Sequence, residues 1–229
     1  MTRHKINIHA IALIAKALAE LKDKIVFVGG AVISLYANTE SDEEVRETFD
    51  IDITSIEVVN YNKYCQLLNR LYELGFYPDS ESKVICRLRY KGIQVDVMTP
   101  EEIGIGPTNK WYKGGFKDLI KKDVEGEEIQ ILSSPYYLAT KFEAFNNRGK
   151  DYRSSHDFED IIYVLDNRKV VVDEIKSSDR TIQQFLINEF QKIDSNIYAE
   201  EILTMHLSPN TVEERFPIIK EKIKQIVNL

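Results

Sequence analysis

The sequence predicts an α/β (α+β) N-terminal domain followed by a C-terminal helical domain. Three observations carry that expectation. Strand-like and helix-like segments alternate through the first half, the pattern from Ser133 onward is almost entirely helical, and no flexible Pro- or Gly-rich linker divides them. A chain of 229 residues suits one large domain or two small ones with a real core. The expected junction lies near residues 125–132, which gives domains of residues 1–130 and 131–229.

Taken in order, Ile11, Ile14, Leu18 and Leu21 recur at helical spacing and predict an opening amphipathic helix. The basic stretch Thr2-Arg3-His4-Lys5 before it is signal-like. Lys16 interrupts the apolar run, however, Glu20, Lys22 and Asp23 close it, and no small-residue cleavage site follows. Ile25–Val28 is a short apolar strand ending in Gly29-Gly30, Ala31–Ala37 reads as a short helix, and Asn38–Val45 as a polar, acidic loop. Thr48–Thr54 alternates Phe49, Ile51 and Ile53 with Asp50 and Asp52, the period-two pattern of a half-buried strand. Tyr61–Leu74 has helical spacing, with Gly75 where a C-cap would lie. Val84–Tyr90 and Ile93–Met98 flank Lys91-Gly92 and predict a hairpin. In the second half, helices are expected over Pro135–Asn146, Asp157–Leu165, Asp179–Lys192, Ile197–Met205 and Thr211–Val227, the last two separated by Ser208-Pro209-Asn210.

Composition narrows the function. Thirty Lys plus Arg against 37 Asp plus Glu give a net charge of −7, which argues against a protein held to nucleic acid or membrane by bulk charge alone. No run approaches the ~20 apolar residues that span a bilayer. Cys65 and Cys86 are far apart and form no disulfide framework, zinc pattern or CxxC pair, so a reducing, cytoplasmic compartment is expected.

The residues that carry chemistry are Gly29-Gly30, then Asp50-Ile51-Asp52, then Asp96. Asp50 and Asp52 share one strand face, because successive side chains alternate. Asp96 sits between Val95 and Val97, where a lone carboxylate is costly unless paired or metal-bound. Three carboxylates on neighbouring strands would repel one another until a divalent cation arrives, the arrangement that one- or two-Mg²⁺ phosphoryl transfer requires. Two residues without Cβ at a strand-to-helix turn let a triphosphate approach the backbone, and a helix N-terminus offers free N–H groups.

Phe27-Val28-Gly29-Gly30, then Arg46-x-Thr48-x-Asp50-Ile51-Asp52-Ile53, then the strand bearing Asp96, resembles the nucleotidyltransferase fold of the polymerase-beta superfamily. Leu138-x-x-Lys141-x-x-Ala144-x-x-x-Arg148, followed by His156-Asp157-x-x-Asp160-Ile161, resembles its AbiEii/AbiGii toxin-like branch. The resemblance spans about residues 27–166. It implies a nucleotidyltransferase domain with a mixed sheet, closed over its cleft by the helical domain. Asp50 and Asp52 would be metal ligands, with Asp96 a third ligand or the general base. Gly29 and Gly30 would contact nucleotide phosphates, Lys141 would reach the triphosphate, Asp157 or Asp160 would complete the site, and Arg46 and Thr48 would orient the strand or the nucleotide. Arg148 and Asp160 join the nucleotide-binding set.

The implied reaction is Mg²⁺-dependent transfer of a nucleoside monophosphate from an NTP to an acceptor. The branch includes toxins of toxin–antitoxin and phage-defence systems, some acting on the tRNA 3′ end, so an RNA acceptor and an antitoxin partner are expected. Two alternatives stay open: transfer to a protein or small-molecule hydroxyl, and a catalytically silent nucleotide-binding interaction module. Ala31 stands where many relatives have Ser, and the acidic residues Glu40, Asp42, Glu43 and Glu44 lie in an inserted loop that would repel nucleic acid unless it folds away.

Other features have plainer readings. His156-Asp157 lacks the further ligands of a metal phosphohydrolase, and Ser155 is placed to cap the next helix. The tract Asn109–Lys122, basic and aromatic with Trp111 at its start, is either a phosphate- or RNA-gripping loop or a surface loop with packed aromatics. Lys220, Lys222 and Lys224 are expected on a solvated helix face, and both cysteines in the core.

Overall fold

Ile25–Val28 is buried at all four positions and forms β1, the strand around which the rest of the sheet is laid. The computed structural model describes residues 3–38, 48–148 and 151–229, with side chains from residue 7 onward. The described residues of 1–35 and 44–133 form one unit, and those of 36–43 and 134–229 a second.

In the first unit, α1 (Arg3–Leu18) runs into a 3-10 segment, Ala19–Lys24, before β1. Ile11, Ile14 and Leu18 are fully buried, the stripe expected from their spacing. The acidic strand β2 (Asp50–Ser55) starts two residues later than its periodicity suggests, and Phe49 is 83% exposed. Helix α2 (Tyr61–Glu73) is capped by Asn60, which accepts a 2.9 Å bond from the Lys63 N–H, and buries Tyr64, Leu67 and Leu71. Next come β3 (Tyr77–Pro78), β4 (Arg87–Tyr90) and β5 (Ile93–Val97). Lys91 and Gly92 have φ of 47° and 85°, the two successive left-handed residues of a tight hairpin turn. Val84 and Ile85, expected in the strand, lie outside it, and Ile85 is 82% exposed. A short turn of helix, α3 (Tyr112–Gly115), leads to a second hairpin, β6 (Leu119–Val124) and β7 (Glu127–Leu132).

The seven strands form one mixed sheet in the order β3-β4-β5-β2-β1-β7-β6. β2 pairs parallel with β5 and β1 parallel with β7, while β1·β2, β3·β4, β4·β5 and β6·β7 are antiparallel. The acidic strand therefore sits in the middle of the sheet, where its backbone is held on both sides.

The helix expected over Ala31–Ala37 is instead a four-residue 3-10 turn, Ile33–Tyr36. The Ile33 N–H donates to the Gly30 carbonyl at 3.2 Å and the Leu35 N–H to the Val32 carbonyl at 3.0 Å, both three-residue steps. Ala31 to Ser34 are all buried in succession, which suits no amphipathic helix. The residues after Gly29-Gly30 therefore do not open an α-helix.

The second unit is helical: α4 (Ser134–Asn147), α5 (His156–Asn167), α6 (Val171–Ser177), α7 (Arg180–Asp194), α8 (Ala199–Thr204) and α9 (Val212–Val227). Residues 134–142 of α4 are buried without a break, which makes it the central helix, and Phe142 meets Phe190 of α7 edge-on at 5.0 Å. Ser155 caps α5, accepting from the Phe158 N–H at 3.2 Å, as its sequence predicts. Residues 36–38 run with this unit: Tyr36 packs on Tyr137 at 4.3 Å, and the Asn38 N–H donates to the Asn167 carbonyl at 3.0 Å. The uniform lysine face does not form. Lys220 and Lys224 are exposed, but the Lys222 ammonium turns inward and donates to the carbonyls of Leu165 (2.5 Å) and Arg168 (3.2 Å) at the C-terminal end of α5. Among the described residues, no helix is long and apolar enough to cross a membrane.

Candidate active site

Strand register assembles the acidic residues. In the parallel β2·β5 ladder Asp52 lies opposite Asp96 and Asp50 opposite Gln94. In the antiparallel β1·β2 ladder Val28 lies opposite Asp52, and in β4·β5 Arg87 lies opposite Asp96. Directly paired residues point to the same face, so Val28, Asp52, Asp96 and Arg87 form one row across four strands. Asp50 stands on the same face, one step along β2.

Arg87 binds this row together. Its Nε and Nη2 donate to Oδ1 and Oδ2 of Asp96, each at 2.7 Å. Nη2 also reaches Oδ2 of Asp50 at 2.7 Å, and Nη1 donates to Oε1 of Gln94 at 3.1 Å. The hydrogen bond to Asp96, with the charges of Asp96, Asp50 and Asp52 behind it, holds the Arg87 pKa well above the usual guanidinium value. The repulsion expected among three bare carboxylates is therefore partly answered from within the chain. Neighbouring Cys86 is buried, and its thiol is pushed up to about 12, first by burial and then by Asp96 and Asp52. Cys65 is only half-buried.

Gly29 has φ +73°, the left-handed region, and a Cβ there would lie 1.9 Å from Oδ2 of Asp52. No side chain fits between this backbone and the Asp52 carboxylate. Gly30, next to it, supplies the carbonyl that opens the 3-10 turn. Thr48 orients the start of β2: its N–H donates to Oδ1 of buried Asn7 at 3.3 Å, and its hydroxyl donates to the Asp50 carbonyl at 3.4 Å. Arg46 and the acidic positions 40–44 lie outside the described residues.

The second unit gathers the other candidates on α4 and α5. The Lys141 ammonium lies 2.5 Å from Oδ2 of Asp160 and 3.5 Å from Oδ1 of Asp157, with only 8% of its side chain exposed. The Tyr137 ring centroid is 5.5 Å from the same ammonium. Arg148 touches Oδ2 of Asp157 at 3.3 Å and keeps 73% of its side chain in solvent. Lys141, two turns into α4, and Asp160, one turn into α5, face each other, as the Lys-x-x-Ala…Arg and Asp-x-x-Asp spacings suggest. His156 is exposed and pairs with Glu159 at 3.0 Å.

Asn109–Lys122 is more ordered than a loop. It contains α3 and the first four residues of β6, with Asn109 and Tyr112 buried.

The donor chemistry of the acidic row fits a hard divalent cation: carboxylate oxygens from β2 and β5, on one face. The carboxylates are not gathered into a finished coordination shell, however. Among the described residues, no group of three or more His, Cys, Asp or Glu is placed to hold a metal ion. Arg87, which sequence patterning does not flag, takes up the oxygens of Asp96 and one of Asp50.

A mixed sheet with paired acids on its central strands, followed by a helical bundle, is nucleotidyltransferase-fold architecture. The family described as "Nucleotidyl transferase AbiEii toxin, Type IV TA system" matches residues 12–223, and the chain belongs to that family. No curated protein matches it. Among solved structures, it is similar to an antigenic nucleotidyltransferase-like protein from Paracoccidioides brasiliensis, at 16% identity over 90% of this chain and 95% of that one, with a TM-score of 0.49. The antibiotic-resistance factor ANT(2'')-Ia is similar at 14% identity over 82% of this chain and 97% of that one, with a TM-score of 0.45.

Proposed function

We propose that the protein is a Mg²⁺-dependent nucleotidyltransferase that moves a nucleoside monophosphate from an NTP to an acceptor hydroxyl and releases pyrophosphate. The observation that carries this reading is the row of Asp52, Asp96 and Arg87 with Asp50 beside it and the Gly29 backbone against Asp52, in a chain of the AbiEii family. Asp50 and Asp52 would hold one Mg²⁺ ion or two, with Asp96 as the third carboxylate. The metal would neutralise charge on the phosphates and align the reacting oxygens.

The chain's own residues position the reactants. Gly29 and Gly30 leave room for phosphate oxygens beside Asp52, and Arg46 and Thr48 precede the same strand in the sequence. In the transfer, the bond from the α-phosphorus to its bridging oxygen breaks, a bond to the acceptor oxygen forms, and the acceptor proton leaves with a base. Asp96 serves as that base only with an oxygen released from Arg87, since both accept from it. In the second unit, exposed Arg148 suits a phosphate, and Lys141 reaches one only by leaving Asp160. Asp157 would then hold Arg148.

The family's toxin–antitoxin description supports an antitoxin partner, and an RNA hydroxyl, tRNA included, is the first acceptor to test. The net charge of −7 favours a second acceptor class, a protein or small-molecule hydroxyl. Purified protein with Mg²⁺ and each α-³²P-labelled NTP, offered total tRNA and cell lysate, tests both. Label entering RNA or protein with wild type and not with Asp52→Asn supports transfer and names the acceptor class. Neither transfer nor Mg²⁺-dependent NTP binding leaves only an interaction module.

A further inference from the structure

We propose that Arg87 is a built-in counter-cation of the acidic site, holding Asp50 and Asp96 in place in the metal-free protein and competing with a divalent cation for the same carboxylate oxygens. The proposal rests on the reading of Asp50, Asp52 and Asp96 as metal-binding carboxylates. Arg87 occupies both oxygens of Asp96 and Oδ2 of Asp50, so of the four oxygens on those two residues only Oδ1 of Asp50 receives no bond from it. Its place is set by the backbone: the tight turn at Lys91-Gly92 fixes the β4·β5 register and puts Arg87 opposite Asp96. Gln94 holds the remaining arm of the fork. A guanidinium stays charged at every working pH, so the position cannot be vacated by losing a proton.

A divalent cation bound to Asp50 and Asp52 comes close to that fixed positive charge. Their repulsion, with the bond from Arg87 to Asp50 that must be given up, weakens metal binding. The bonds from Arg87 to Asp50 and Asp96 keep the acids from driving the strands apart when no metal is present. Arg89, two residues along β4, makes a useful comparison, because its Nε pairs with Asp79 at 2.9 Å and makes no bond to Asp50 or Asp96.

The test is a Mn²⁺ titration of the full chain without nucleotide, reading free Mn²⁺ by electron paramagnetic resonance. Arg87→Met should bind Mn²⁺ at least about tenfold more tightly than wild type, given the size of charge–charge terms at this separation. Its melting temperature in EDTA should be lower than that of wild type, and Mn²⁺ should raise it more. Arg89→Met, which removes the same charge from the same strand, should stay within about threefold of wild type. Equal or weaker Mn²⁺ binding by folded Arg87→Met, with wild type binding normally, overturns the proposal and leaves the metal reading intact. No Mn²⁺ binding by any of the three removes the metal reading and this proposal with it. Should Arg87→Met not fold, the ¹⁵Nε–Hε signal of Arg87 in wild type, assigned by its loss in Arg87→Lys, decides. It should shift with Mg²⁺ along the same curve as metal binding, and a signal that never moves overturns the proposal.

Discussion

Gly29 and Asp52 are packed so closely that a β-carbon on Gly29 would stand 1.9 Å from Oδ2 of Asp52. The contact arises because Val28 is the register partner of Asp52, and the chain leaves β1 through a left-handed residue directly over that carboxylate. Gly29→Ala would add strain of roughly 1–2 kcal/mol at this φ and displace the carboxylate as well. The variant should melt below wild type and lose about a hundredfold in transfer rate, since misplacements of ~1 Å have that effect. An alanine variant with the wild-type rate would show that the approach of backbone to Asp52 has no role in the reaction.

Lys141 pairs with Asp160 and shares Asp157 with Arg148. Lys141→Met would leave a buried carboxylate without its ammonium, a change that costs about 3–5 kcal/mol. Urea denaturation should show that loss, and Asp160→Asn in the same chain should recover part of it. If the single variant were as stable as wild type while losing transfer, Lys141 would be a substrate-binding residue with no structural load.

Lys222 donates to two carbonyls at the C-terminal end of α5, and burial lowers its pKa from the ordinary 10.5. Lys222→Met should cost about 1–3 kcal/mol at neutral pH, by loss of charged hydrogen bonds. The pH dependence has a definite sign. Between the lowered folded value and 10.5 the unfolded chain holds a proton that the native chain has released, so this group makes stability rise with pH in that window. The stability of wild type minus that of Lys222→Met should therefore increase as pH approaches 10.5, measured by urea titration at a series of pH values.

Cys86 is buried and its thiol is held up to about 12, so little thiolate forms at pH 8. Native protein treated with a chromogenic disulfide should react at half-buried Cys65 well before Cys86, and both should react at once in denaturant. Fast labelling of Cys86 in native protein would mean that β4 opens readily beside the acidic row.

Much of the fold is legible from periodicity where one side of an element is buried and the other is not. β1 is found residue for residue, and α2, α5 and α9 fall within two residues of their expected ends. The β6·β7 hairpin lies outside the expected strands, although Glu125-Gly126 repeats the signal of Lys91-Gly92, with φ of 53° and 85°. The lysines of edge strand β6 and the glutamates of β7 are exposed or half-buried, so only Val124, Ile129, Ile131 and Leu132 mark a buried face. The short α6, with only Val171 and Ile175 buried, carries too little pattern to be read. The acids of the site stand out because carboxylates between apolar residues are costly. Arg87 does not, since one arginine in a strand is unremarkable alone. Counting back from the Lys91-Gly92 turn pairs it with Asp96, and that register was the signal available. Long-range partners such as Asn7 for Thr48 leave no local trace.

The most direct measurement of the central claim is the stoichiometry of transfer. Wild-type protein, Mg²⁺, the NTP and the acceptor identified by labelling are incubated, and pyrophosphate released is counted against nucleoside monophosphate incorporated. The account predicts one pyrophosphate for each nucleotide transferred by wild type, and neither product above background with Asp52→Asn. Orthophosphate in place of pyrophosphate, or undiminished transfer by Asp52→Asn, would contradict it.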